Sequence, residues 1–337
     1  MNNGRCYIIA ELSANHGSKL ETALETVRAA ARAGADAIKL QTYKGSTITL
    51  DAKTNDFLID GTIWEGRYLY DLYEEAHLPW EWHKPLFDEA KKQGIDCFSS
   101  PFDFTAVDLL EELNCPIYKI ASFEITDIPL IAYAASKGKP MIISTGIADD
   151  KDIELAIETC RKVGNNQITL LKCTSSYPAP VEDANLIMIP DMAKKYGVLT
   201  GLSDHTLGIT VPVAAVVLGA KVIEKHFILN RSIGGADASF SLDETDFTTM
   251  VKAVRDAEKA IGTVNYSLDN NKRKSRNYSR SLYICNDVQA GEIVNEENIK
   301  SVRPGYGLHP KHYNDVLGKK FKINLTKGTP LNFDVIE

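Results

Sequence analysis

LTGLSDHTLGITVPVAAVVLGAKVIEKHFILN (199–230) holds two short apolar runs separated by a helical stretch of small residues. The first run ends at His205, and the second ends with Glu224, Lys225 and His226. If both runs are neighbouring parallel strands of one barrel, the two histidines lie side by side at the carboxyl ends of the strands. That end is where β/α barrels keep their active sites.

The alternation of side chains along a strand sorts the residues of the second run. Glu224 and His226 share one face, and Lys225 takes the other. Two imidazoles with a nearby carboxylate predict a site for a divalent metal. The alternative is that His205 and His226 are separate, each hydrogen-bonded in a core or on a surface.

The rest of the chain up to about residue 262 repeats this strand and helix pattern, which predicts a parallel sheet. Eight such units in about 255 residues match the size of a (β/α)₈ TIM barrel. The predicted strands are Tyr7–Glu11, Ala37–Thr42, Asp96–Ser100, Ile117–Ser122, Met141–Thr145, Ile168–Thr174, Val198–Asp204 and Lys221–Phe227. The predicted helices include Leu20–Ala33, Trp80–Gln93, Thr210–Leu218 and Glu244–Ile261.

The pattern changes after Gly262, so we expect a barrel domain over 1–262. The polar segment 263–279 contains a basic run, Lys272–Arg276, and is typical of an exposed linker. The remainder, 280–337, has short strands separated by turn residues and predicts a small second domain.

One connection inside the barrel is much longer than the others. It runs from Tyr43 to Leu78, and we predict a short helix at Glu65–Ala76 within it. Its aromatic residues are Trp64, Tyr68, Tyr70 and Tyr73. Long loops at the top of a barrel favour a lid or a substrate wall, and the alternative is an insertion that only packs against itself.

Composition excludes some classes of function. The 337 residues carry 38 basic and 45 acidic side chains, a net charge of −7, which disfavours nucleic-acid binding through a basic surface. The six cysteines form no CxxC pair, and the start lacks the apolar region of a signal peptide. We therefore expect a protein of the reducing cytoplasm, without a membrane span.

All eight predicted strands end in polar residues, and Lys39 and Lys119 are each embedded within one of these strands. Burying a lysine without a partner costs several kcal/mol. The preferred interpretation is that the two lysines clamp one anion, such as a phosphate or carboxylate, with hydroxyls around it. Lys119 as a Schiff-base lysine is the second interpretation. Local ion pairs with Glu11 or Glu124 are the third.

These strand ends resemble those of the sialic acid synthases, which condense phosphoenolpyruvate with an N-acylated amino sugar to a 2-keto acid. The resemblance spans essentially the whole chain and implies a TIM barrel followed by an antifreeze-like (SAF) domain. It rests on IIAELSANH (8–16), GADAIKLQTYK (34–44), FSSPFD (98–103), YKIASFEITD (118–127), ISTG (143–146), CTSSYP (173–178), GLSDHTLG (201–208), VIEKHF (222–227) and RPGYG (303–307).

The resemblance also implies roles for individual residues. His205 and His226 would bind Mn²⁺ or Mg²⁺. The catalytic groups would be Glu11, Glu124, Glu224 and Lys119. Substrates would contact Lys39, Gln41, Ser100, Ser122, Ser144, Thr174, Tyr177, Asp237 and Arg303. Arg303 would reach the barrel of the other subunit in a domain-swapped homodimer.

Family members that use N-acetylmannosamine typically have other residues at the positions of Ser13, Phe123 and Ala238. Within the family the chain is most similar to the branch whose sugar is 2,4-diacetamido-2,4,6-trideoxy-altrose. Synthesis of N-acetylneuraminate or legionaminate is the alternative inside the family. A barrel aldolase and a non-catalytic sugar-binding protein are the alternatives outside it.

Overall fold

Eight parallel strands pair in chain order, and the last pairs with the first to close a barrel, in a computed structural model that describes residues 4–337. This confirms the predicted (β/α)₈ barrel. The strands are β1 (Tyr7–Glu11), β2 (Ala37–Thr42), β3 (Asp96–Pro101), β4 (Tyr118–Ile120), β5 (Met141–Ser144), β6 (Ile168–Cys173), β7 (Leu199–Asp204) and β8 (Val222–His226).

Helices connect the strands and cover the outside of the barrel. They are α1 (Leu20–Arg32), α2 (Gly45–Ile48), α3 (Leu69–Ala76), α4 (Trp80–Gln93), α5 (Phe104–Glu112), α6 (Ile128–Ser136), α7 (Asp150–Lys162), α8 (Met188–Tyr196), α9 (Thr210–Val217) and α10 (Glu244–Ile261). The longer helices bury one face, as α1 does through Ala23, Val27 and Ala30, which recur at helical spacing, whereas the four-residue α2 buries only Gly45. Among residues 4–337, no helix has the length and apolar character needed to span a bilayer.

The chain separates into two compact units after Gly262. The second unit contains α11 (Asn270–Arg276), α12 (Tyr313–Val316) and an antiparallel pair, β9 (Ser281–Ile284) with β10 (Ile299–Val302). Its separate core includes Leu282, Val294, Phe321 and Leu331. The segment expected to be an exposed linker is exposed, but it also holds α11, whose first turn is capped by Asp269.

Two predicted elements differ from the structure. The helix predicted at Glu65–Ala76 begins only at Leu69, because Gly66 has φ +82°, a left-handed conformation that an α-helix cannot include. The amide of Ile59 instead donates to the carbonyl of Arg67, so this part of the loop pairs with itself. The fourth strand stops at Ile120, and residues 122–124 form a 3₁₀ turn.

Candidate active site

Four buried charged residues meet at the carboxyl end of the barrel. Lys39 Nζ lies 3.2 Å from Glu11 Oε2 and 3.2 Å from Glu224 Oε1. Lys119 Nζ lies 3.9 Å from the same Glu224 oxygen. All four side chains are at most 6% exposed. Glu224 therefore links two lysines that come from non-adjacent strands.

The two lysines affect the pKa values of Glu224 and Glu11 differently. Burial acts to raise the pKa of Glu224, but the charges of Lys119 and Lys39 outweigh it and the pKa is lowered. For Glu11, burial outweighs the charge of Lys39 and raises the pKa to about 7. Near neutral pH, Glu224 is thus the stable carboxylate, while Glu11 can hold or release a proton.

Lys119 and Glu124 form a second pair of groups that can exchange protons near neutrality. Burial lowers the pKa of Lys119 to about 8, although the charge of Glu224 opposes this. Burial raises the pKa of Glu124 to about 7, against the charge of Lys119. The Oε2 atom of Glu124 is buried without a hydrogen-bond partner among residues 4–337, so it is free to accept a proton or a ligand.

Serine hydroxyls surround the lysines. Lys119 Nζ donates to Ser144 Oγ at 2.7 Å, and Lys39 Nζ to Ser100 Oγ at 3.4 Å. Ser122 Oγ lies 2.8 Å from Ser175 Oγ and accepts from the amide of Ile147. Cations and hydroxyl donors together give an environment that suits a phosphate or a carboxylate.

The two histidines predicted to lie side by side do so, with ring centroids 5.3 Å apart. His205 Nδ1 lies 2.9 Å from the carbonyl oxygen of Thr174, which can only accept, so Nε2 of a neutral ring keeps its lone pair. His226 Nδ1 is buried and has no hydrogen-bond partner among the described residues. Burial lowers the pKa of His226 well below its usual value, which keeps the ring neutral.

These donors fit a divalent cation, because imidazole nitrogens are common ligands of divalent metals and Nδ1 of His226 is buried without a hydrogen-bond partner among the described residues. Across residues 4–337 no group of three or more histidine, cysteine, aspartate or glutamate side chains is arranged to hold a metal.

Aromatic rings form one wall beside the histidines. The ring of Tyr177 lies 4.4 Å from that of His205 and 5.3 Å from that of Phe240. Trp64, from the long connection, lies 5.8 Å from Tyr177 and donates through Nε1 to the carbonyl of Ala236. The long connection thus reaches the histidine pair, as the interpretation of a substrate wall requires.

Polar groups complete the opposite side. Gln41 Nε2 donates to Glu11 Oε1 at 2.8 Å and to Ser13 Oγ at 2.9 Å. The carboxylate of Asp237 accepts from the amide of Ala14 and lies 3.7 Å from His226 Nδ1. These side chains connect the ion network around Glu224 to the histidine pair.

Two residues of the predicted site are placed differently from the others. The hydroxyl of Thr174 donates to the carbonyl of Asp183. Thr174 therefore contacts the site through its backbone carbonyl oxygen, which lies beside Nδ1 of His205. Arg303 belongs to the second unit, where it is exposed and lines a cavity of about 580 Å³ with Lys300 and Lys327.

The structure also contains ion pairs of the kind that the third interpretation of the lysines supposed. Lys39 does pair with Glu11, as the third interpretation supposed. Lys119 approaches Glu224 rather than Glu124. Ion pairs are therefore present, and an anion clamp must form around lysines that already share a carboxylate.

Sequence reasoning gave no role to Ser203, which contacts the site, or to a hydrogen-bonded group on the other face of β2 and β3. Ser203 donates to Glu224 Oε1 at 3.1 Å. Its place beside Asp204 at the carboxyl end of β7 was the sequence feature that could have indicated a role in the site. His83 lies 2.8 Å from Thr42 Oγ1, which in turn lies 2.6 Å from Ser99 Oγ, behind β2 and β3. No sequence pattern links these three residues, because they come from a helix and two strands.

Comparisons with known proteins agree with this architecture. A family model described as the NeuB family matches residues 26–266, and a SAF domain model matches residues 279–337. A relative from Helicobacter pylori named pseudaminic acid synthase is 48% identical over 98% of this chain and 97% of its own length. A Legionella pneumophila relative named N,N'-diacetyllegionaminic acid synthase is 36% identical over 98% of this chain and 95% of its own length.

A solved structure gives the same result for the fold. The spore coat polysaccharide biosynthesis protein of Bacillus subtilis is 33% identical, with a TM-score of 0.67, and the match covers 100% of this chain and 96% of that one. The family match and the near full-length identities confirm the resemblance found in the strand ends. The chain belongs to the NeuB family.

Proposed function

We propose that the chain is a pseudaminic acid synthase. It condenses phosphoenolpyruvate with 2,4-diacetamido-2,4,6-trideoxy-altrose and water, and it releases phosphate. The observation that carries the proposal is an ion network of two lysines and two glutamates beside a histidine pair, in a chain 48% identical to a protein of that name. The lower identity to the legionaminic acid synthase, 36%, favours this sugar over the alternatives in the family.

The lysines bind and orient phosphoenolpyruvate. Lys39 and Lys119 carry the positive charge for its phosphate and carboxylate, and Ser100, Ser122 and Ser144 supply hydroxyl donors. Most of the rate gain from these groups is positioning, since they hold the reacting carbon against the sugar.

The carboxyl groups then handle charge and protons. C3 of phosphoenolpyruvate forms a bond to the aldehyde carbon as the carbon–oxygen π bond opens, which leaves an alkoxide on the sugar and an electron-poor C2. Glu224, which stays ionised, stabilises that positive charge. Water adds at C2 and gives its proton to Glu124 or Glu11, whose pKa values are both about 7. The C2–O bond breaks, phosphate leaves with its bridging oxygen and the second water proton, and the alkoxide takes the first proton from the glutamate, so C2 becomes a ketone.

Mn²⁺ or Mg²⁺ is the proposed cofactor. His205 and His226 would hold it, and when bound it supplies a Lewis acid that polarises a carbonyl oxygen. Gln41, Tyr177 and Asp237, which lie around the histidines, are proposed to contact the sugar. Arg303 is proposed to contact the sugar from the second unit of a partner subunit in a homodimer.

The bond that breaks is tested by running the reaction in water enriched in the heavy oxygen isotope. With both substrates present, we expect phosphate of unchanged mass, because the added water oxygen stays with the sugar product. Heavy phosphate would mean that water attacks phosphorus, and it would overturn the proposed chemistry.

The Schiff-base aldolase remains the second candidate, because the pKa of Lys119 is lowered to about 8 and a neutral amine is needed for attack. That reaction starts from pyruvate and releases no phosphate. Borohydride added with pyruvate should leave the protein mass unchanged if the synthase proposal is right. A trapped adduct that Lys119→Met abolishes would favour the aldolase instead.

A further inference from the structure

A fully buried ion pair lies immediately behind the two histidines. Lys225 Nζ donates to Asp204 Oδ2 at 2.5 Å, and the two side chains are 0% and 1% exposed. The residues face each other in register across β7 and β8. Each directly precedes a histidine, since Asp204 comes before His205 and Lys225 before His226.

The ammonium group of Lys225 holds both chain neighbours of His205. Besides the Asp204 carboxylate, it donates to the carbonyl oxygen of Thr206. The other Asp204 oxygen accepts from the Thr206 amide at 3.0 Å. One side chain, attached next to His226, therefore fixes the turn that carries His205.

Stability does not explain this arrangement. A buried ion pair pays a large desolvation cost, and apolar residues of similar volume are often as stabilising. The backbone ladder already joins β7 and β8. The pair also lies on the face opposite Glu224 and His226, because side chains alternate along β8. What it adds is a single, fixed geometry at the two strand ends.

We propose that Lys225 is a positioning residue that sets the spacing of His205 and His226 through Asp204 and Thr206. It thereby raises the affinity of the histidine pair for a divalent cation. The inference rests on the metal site of the proposed function. Removing a residue that supports a metal ligand commonly lowers the affinity for the metal by about 10- to 100-fold.

The test measures Mn²⁺ binding to metal-free, full-length protein by the electron paramagnetic resonance signal of the free ion. The main variant is the double substitution Asp204→Asn with Lys225→Met, which removes both charges together and leaves none buried alone. Asp204→Asn also keeps an oxygen acceptor for the Thr206 amide. We expect Kd to rise by about 10- to 100-fold while the protein stays folded.

A matched control removes another ion pair of the barrel. Arg255 lies 2.8 Å from Asp36, and this pair is away from the histidines, since Asp36 precedes β2 and its carboxylate accepts from the Ile8 amide. Asp36→Asn with Arg255→Met should leave the Mn²⁺ Kd unchanged. Asp204→Asn with Lys225→Gln, which also leaves no buried charge and keeps a neutral donor, serves if the main variant does not fold, and we expect it to weaken binding as well.

The outcomes separate the inference from the proposed function. Wild-type affinity in either folded Lys225 variant would overturn the positioning role and leave the metal site standing. No Mn²⁺ binding by the wild-type protein would overturn the metal site and the inference with it. Weaker binding in the Lys225 variants, with wild-type binding in the control, supports the inference.

Discussion

The carboxyl group of Glu124 is held near its midpoint at neutral pH, with one oxygen buried and unpaired. That combination is typical of a residue that transfers protons. The pKa of Glu224 is instead lowered, because the charges of Lys119 and Lys39 keep this carboxylate ionised. The same chemical group thus serves two purposes, and the difference lies in how many lysines contact it.

Glu124→Gln tests the proton-transfer role. The amide has the same shape but cannot take a proton, so we expect kcat to fall by about 10²- to 10⁴-fold. The Km for phosphoenolpyruvate should change little, because Lys39 and Lys119 remain. Steady-state assays of phosphate release measure both. A kcat within a few-fold of wild type would show that Glu124 is not the acceptor.

The pH dependence follows from the same groups. Glu11 and Glu124 must be deprotonated to accept protons, so kcat/KM should rise as pH passes about 7. Lys119 must be protonated to bind an anion, so kcat/KM should fall above about 8. Lys119→Arg, which stays protonated, should lose the fall at high pH. A flat profile in the wild-type protein would contradict these assignments.

At this scale the sequence predicted which residues point into the barrel but not how they pair. Strand alternation is local, so it places Lys39, Lys119 and Glu224 correctly. Their contacts cross the barrel interior, and that distance depends on how all eight strands close. For this reason the ion-pair interpretation named only the local carboxylates Glu11 and Glu124, whereas Lys119 in the structure approaches Glu224.

Among the elements, the connection between β2 and α4 contributes most to the shape of the site. Its Trp64 packs against Tyr177, which packs against His205. The aromatic content of this connection was visible in the sequence. The path of the connection could not be predicted, because loops lack the periodicity that identifies helices and strands. The positive φ of Gly66 also makes α3 begin later than predicted.

Trp64→Ala tests whether this connection is a substrate wall. Losing the indole should raise the Km for the sugar by about tenfold, since an aromatic contact of this size is worth roughly 1–2 kcal/mol. The Km for phosphoenolpyruvate should stay the same. Ile63→Ala, at the exposed neighbouring position, is the matched control and should change neither value. An unchanged Km for the sugar in Trp64→Ala would make the connection a packing insertion.

For the whole molecule, the repeated strand and helix units were enough to predict the barrel, because each unit repeats the same local pattern. The second unit was harder to predict in detail. Its one strand pair, β9 with β10, has four residues in each strand, and other parts of the unit pair through isolated bridges such as Phe321 with Ile336. Such pairings join distant parts of the chain and leave no periodic signal.

Mixing two defective variants tests whether Arg303 acts on a partner subunit. Arg303→Ala alone should lower kcat/KM for the sugar by about 100-fold, through loss of a charged hydrogen bond. His226→Ala alone should be inactive. Refolded together, they should recover roughly a quarter of wild-type activity, because half of the dimers are mixed and each has one complete site.

The control for this experiment mixes His226→Ala with a variant carrying both substitutions, which leaves no complete site in any dimer. That mixture should stay inactive. If the first mixture also stays inactive although the subunits exchange, Arg303 does not complete the site of a partner.

The most direct test of the proposed function is phosphate release from phosphoenolpyruvate, with and without a chelator, in the presence of one sugar at a time. We predict chelator-sensitive release with 2,4-diacetamido-2,4,6-trideoxy-altrose and none with N-acetylmannosamine. Release with N-acetylmannosamine alone would contradict the choice of sugar based on Ser13, Phe123 and Ala238. Release with neither sugar, by protein that binds Mn²⁺, would contradict the proposed synthase activity itself.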